Sequence, residues 1–142
     1  MRNRCLRLCL RLCACCRSAG LAENIQVCIV YVESWLRGNG CIPVNFKMED
    51  AATAEISRAQ VWQWVHHKAS TANGTDITPC LVRDLAQKES SRLMADATTG
   101  VNKFRLAGRI VADMMTAPVL DDFLTTVAYP HIVDFSGAQC RL

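Results

Sequence analysis

The chain has 142 residues, half of them apolar (51%) and a fifth charged (20%). That composition excludes a disordered or fibrous protein, and the length allows one ordinary domain but no TIM barrel, which needs roughly 250 residues. The formal net charge of +3 is unevenly spread: residues 1–18 hold five arginines and no acid, leaving 11 basic and 13 acidic residues in the rest. A mildly acidic body argues against a nucleic-acid partner.

Residues 1–18 read as foreign to the rest of the chain. Five of the nine cysteines (Cys5, Cys9, Cys13, Cys15, Cys16) fall there. On a helix Arg4, Arg7 and Arg11 share one face and Cys5, Cys9, Cys13 and Cys16 the other. A mitochondrial-type presequence would contain more serine than the single Ser18. A secretory signal would have an apolar core that Arg7 and Arg11 interrupt. Zinc ligation would need C-x2-C-type spacing. The segment is best read as a non-native or mispredicted start, or a disordered one. The remaining cysteines (Cys28, Cys41, Cys80, Cys140) are scattered, as free thiols are in a reducing compartment.

Helical periodicity begins next. Ile25, Ile29, Val32 and Leu36 form one apolar stripe and predict a helix over 21–37, which Gly38 and Gly40 end. The apolar run Val27 to Val32 is too short to cross a bilayer, so no membrane partner is expected. Residues 38–49 read as a loop. A second helix is predicted from Asp50, a plausible N-cap, to about Lys68. Its apolar positions Ile56, Ala59, Val61, Trp62, Trp64 and Val65 do not share a stripe, which predicts burial on more than one side. Asn73-Gly74 marks a turn. Thr78-Pro79 opens a third helix with Leu81, Leu85 and Leu93 on its buried side, and Gly100 breaks it. A fourth helix spans 103–116, with Leu106, Ile110 and Met114 inward. A fifth spans 119–127, with Leu120, Phe123 and Leu124 inward, and Tyr129-Pro130 ends it. The fold class is all-α, a small bundle of four to five helices.

Within this frame most reactive residues have a plain structural reading. Glu55 and Arg58, three apart on a helix, read as a surface ion pair. His66-His67 point away from each other and read as a solvent-facing helix end rather than a metal pair. Trp62 and Trp64 read as core. Cys41 reads as a structural thiol.

One long stretch says more. Gly38-Asn39-Gly40-Cys41-Ile42-Pro43-Val44, then Met48-Glu49-Asp50-Ala51-Ala52-Thr53-Ala54-Glu55-Ile56-Ser57-Arg58-Ala59-Gln60-Val61-Trp62-Gln63-Trp64, resembles the C-terminal part of malate synthase. The flanks agree: Tyr31-Val32-Glu33-Ser34-Trp35-Leu36-Arg37 resembles the preceding helix of that family, and Phe123-Leu124-Thr125-Thr126-Val127-Ala128-Tyr129 its closing helix. The resemblance covers roughly residues 20–133 and is far more specific than a short motif. Lys47 departs from it, standing where the family has a small apolar residue.

The resemblance implies a division of the chain: 1–18 as above, 19–40 a helix like the end of the family's barrel, 41–133 the catalytic loop and helical plug, and 134–142 a flexible tail. It implies condensation of acetyl-CoA with glyoxylate and water to malate and CoA, on a TIM barrel that carries Mg2+ and closes against the plug. The aspartate of Met-Glu-Asp, here Asp50, would be the catalytic acid/base, and Glu49 a supporting residue. The metal carboxylates belong to the barrel, so the chain is expected to supply no Mg2+ ligand and to be inactive without a barrel in cis or in trans. The alternatives are a non-catalytic module docking onto a separate barrel and an inactive relic. Cys140-Arg141-Leu142 is similar to the Ser-Lys-Leu peroxisomal tripeptide, which points to peroxisome or glyoxysome, with the cytoplasm as the alternative.

Overall fold

A computed structural model describes residues 18–44, 46–97 and 102–132. The Arg/Cys-rich segment up to residue 17 and the C-terminal tripeptide lie outside the described residues. The elements in order are α1 (Ser18–Leu36), β1 (Cys41–Val44), β2 (Lys47–Asp50), α2 (Ala51–His66), α3 (Pro79–Asp96), α4 (Phe104–Thr116) and α5 (Leu124–Ala128), which runs on into a 3-10 turn at Tyr129–His131. The mostly helical class is as expected, with five helices among the described residues.

The first correction lies between α1 and α2. Residues 38–49 are not a loop: β1 and β2 pair antiparallel, with Cys41 opposite Asp50 and Val44 opposite Lys47. Ile42, Val44 and Met48 alternate with other residues over strands too short for a period-2 pattern to stand out, and Pro43 argues against a strand except at a sheet edge. A two-stranded sheet consists of edges only, so Pro43 is tolerated. The turn places Phe46 at φ 63°, fully exposed.

Helix α1 is the centre of the molecule. Ile25, Ile29, Val32 and Leu36 are buried as the stripe predicts, but so are Leu21, Cys28, Tyr31, Glu33 and Ser34. The reason is that α1 packs against α2, α3, α4 and the hairpin at once. The buried Glu33 is satisfied: its carboxylate takes Arg37 Nε at 2.8 Å and the backbone N–H of Lys103 at 3.1 Å. Lys103 Nζ in turn donates to the carbonyl of Leu36 at 2.8 Å. This knot ties the C-terminal end of α1 to the start of α4.

Helix α2 starts where Asp50 accepts from the Thr53 N–H. It ends in a Schellman arrangement: Lys68 takes φ 51°, and Ala69 N–H reaches back to the carbonyl of Trp64 at 2.8 Å. Its buried positions are Ala54, Ser57, Arg58, Val61 and Trp64. They form one stripe, not several, because the polar Ser57 and Arg58 lie on it and the apolar Ile56 faces solvent. Helix α3 opens as predicted, with Thr78 Oγ1 accepting from the Leu81 N–H and Pro79 in the first turn. Its deepest positions are Val82, Ala86 and Ser90, while Leu81, Leu85 and Leu93 flank them at half burial. Helix α4 turns Ala107, Ile110, Val111, Met114 and Met115 into the core, and Leu106 packs at its margin.

The fifth helix is shorter than expected. Residues 119–123 are not helical, and Phe123 is exposed while Leu124 is buried. The backbone groups that a longer helix would use are taken sideways. Arg58 Nη2 donates to the carbonyls of Asp121 (3.0 Å) and Asp122 (3.3 Å), and the Leu124 N–H donates to Glu55 Oε1 at 2.6 Å.

Candidate functional site

The hairpin sets Asp50 at the junction of β2 and α2, opposite Cys41. Its backbone is extended (φ −123°, ψ −173°), and its Oδ1 accepts from the Thr53 N–H at 3.2 Å. Among the described residues nothing donates to the second oxygen, and the side chain is exposed. One oxygen is therefore anchored to a helix N-terminus while the other faces outward. Glu49, adjacent in the strand, points to the opposite face and stands across from Ile42. Lys47 is at the far end of β2, paired with Val44.

Beneath the junction lies Tyr31 of α1, buried to 2% exposure. Burial raises its phenol above the ordinary tyrosine value, and the carboxylates of Asp50 and Glu55 and the Cys41 thiol push it the same way. Tyr31 therefore remains a neutral phenol within the field of the Asp50 carboxylate. Cys41 is an exposed free thiol, not a packed structural one. Cys28, on the buried side of α1, donates Sγ–H to the carbonyl of Ala54 at 3.2 Å, and burial pushes its thiol far above the usual range. It is chemically inert as a nucleophile.

Glu55 and Arg58 do not form a surface ion pair. Arg58 is buried (2% exposed), its Nε meets Glu55 Oε2 at 2.8 Å, and the pair grips the approach to α5 through the three backbone contacts described above. Position 58 falls on the same stripe as Ala54, Val61 and Trp64, a signal that helical spacing alone carries and that the charge of the side chain masks. Tyr31 has an equivalent place on the inner side of α1. His66 and His67 lie at the far end of α2, and His66 stacks on Trp62 with ring centroids 4.6 Å apart. Trp64 is fully buried, whereas Trp62 is half-buried and donates Nε1–H to the carbonyl of Ala117 at 2.8 Å.

Among the described residues no group of three or more His, Cys, Asp or Glu side chains is placed to hold a metal ion. These residues do not fit a Mg2+ site of their own. Among them, too, no helix is long and apolar enough to cross a membrane.

Comparison with known proteins meets the same region. The family model "Malate synthase, C-terminal" matches residues 16–132. The glyoxysomal malate synthase of Candida tropicalis is 43% identical over 119 residues, which is 84% of this chain and 21% of the relative. Malate synthase A of Escherichia coli K12 is 39% identical over 113 residues, 78% of this chain and 21% of the relative. The bifunctional glyoxylate cycle protein of Caenorhabditis elegans is 45% identical over 115 residues, 81% of this chain and 12% of the relative. The chain thus spans about a fifth or less of the length of these curated relatives.

Proposed function

The chain belongs to the malate synthase C-terminal family, and from that premise we propose that it forms the helical cap of a malate synthase, with Asp50 as the acid/base. The observation that carries the reading is the geometry of Asp50: an exposed carboxylate fixed through one oxygen at the rigid start of α2.

In this reading Asp50 takes a proton from the acetyl methyl group of acetyl-CoA. The released electron pair forms the enolate carbon, which attacks the aldehyde carbon of glyoxylate. The aldehyde oxygen becomes an alkoxide and gains a proton, and water then cleaves the thioester to leave malate and CoA. A thioester methyl is a very weak acid, so the base must be held in line and the enolate stabilised as it forms. The N-cap bond and the pairing of β2 with β1 supply the first requirement. Enolate stabilisation, Mg2+ binding and glyoxylate binding fall to a barrel that these residues do not contain, so the isolated chain is inactive. Relatives named glyoxysomal, together with Cys140-Arg141-Leu142, favour the glyoxysome as its compartment.

A non-catalytic docking module is the second reading, favoured by the exposed apolar side chains of Phe46, Met48 and Ile56 around the junction. One fusion tests the first: residues 18–132 replace the matched C-terminal part of the E. coli enzyme. The cap reading expects malate formation from acetyl-CoA and glyoxylate. A folded fusion that binds both substrates and makes no malate would reject it.

A further inference from the structure

We propose that the groove between α3 and α4 is a binding site for a phosphate monoester with a small organic body. The six described arginines divide evenly. Arg37, Arg58 and Arg92 are in salt bridges. Arg83, Arg105 and Arg109 have no carboxylate partner among the described residues, and all three line one cavity of about 570 Å3. That volume lies within the roughly 300–1,000 Å3 typical of small-ligand sites.

The fold makes this convergence. Gly108 lets α4 lie against α3 so closely that a Cβ there would sit 2.8 Å from Ser90 Cβ. Arg105 and Arg109, one turn apart, rise beside that contact on α4, and Arg83 joins them from α3. Asp113 is the single acid in the lining. Three guanidiniums against one carboxylate leave a surplus of two positive charges, which matches a phosphate monoester of about −1.5 to −2 near pH 7. Guanidinium forks suit phosphate oxygens in bidentate geometry. The hydroxyls of Ser90 and Ser91 both donate to the carbonyl of Gln87, so recognition of the anion rests on the arginines. Met94 and Ala112 offer an apolar wall to the organic part.

The test is an NMR titration of the full 142-residue chain with phenyl phosphate, with inorganic phosphate as the second probe, at constant ionic strength. Saturable shifts at the amides of Ser90, Ser91 and Gly108 are expected, weaker for inorganic phosphate. The double variant Arg105→Ala/Arg109→Ala should bind about tenfold more weakly. Asp113→Asn should bind more tightly, an effect that misfolding cannot mimic, and Arg92→Ala should match the wild type. A linear, unsaturating response, or equal binding by the double variant, would overturn the site. Equal affinity for the two probes would overturn the organic ligand.

Discussion

Cys28 illustrates how a single buried residue sets a pH limit. Its folded-state proton affinity is raised, chiefly by burial, so the native protein retains the thiol proton where the unfolded chain has lost it. The stability that this thiol contributes is intact below pH 9, the ordinary value, and is lost as pH rises above it. Tyr31 acts in the same direction at higher pH. Urea denaturation of wild type and Cys28→Ala from pH 7.5 to pH 10.5 should show the gap between them closing by about 1 kcal/mol per pH unit above pH 9. A gap independent of pH would contradict the burial argument. Gly108 sets a steric limit instead. Gly108→Ala brings a methyl within 2.8 Å of Ser90 Cβ, which α3 can relieve only by moving. A loss of roughly 1–3 kcal/mol is expected in the same assay, despite the better helix propensity of alanine.

At the scale of elements, the contacts of α2 decide the shape of the molecule. Glu55 bonds the Leu124 N–H and holds Arg58, which in turn holds Asp121 and Asp122. Glu55→Ala leaves Arg58 buried without a charge partner and frees the start of α5. A destabilisation of roughly 2–4 kcal/mol should follow, the upper values tempered by the partial exposure of Glu55. Amide exchange should accelerate at Leu124 and through α5 well before the core of α1 opens. Uniform exchange in the variant would show that the clamp does not govern α5 separately.

The same elements show what a sequence makes legible. Helices α1, α2, α3 and α4 are readable because their caps and stripes are local: Thr78-Pro79, Asp50, and Ile25 with Ile29, Val32 and Leu36. The hairpin and the short α5 are not. Each depends on partners outside its own segment, β1 on β2 across a turn and residues 121–124 on Glu55 and Arg58, more than sixty positions earlier. Asp50 stands out through its place in a long familiar run, whereas Tyr31 and the buried Arg58 become visible only with the packing.

For the whole molecule, one core joins α1, α2, α3, α4 and α5. Its centre is the helix immediately before the hairpin, so the position of Asp50 is set by the entire cluster rather than by its own strand. The chain offers a carboxylate fixed at a helix start, and the part of it that matches these relatives makes up about a fifth or less of their length. The most direct measurement is the turnover of the E. coli barrel fusion with Asp50→Asn, which keeps an N-cap side chain while removing the base. With Asp50 as the base, malate formation is expected to fall by about a thousandfold or more, with unchanged thermal unfolding and little change in acetyl-CoA binding. Turnover within a few-fold of the unsubstituted fusion would contradict it and leave the chain a docking module.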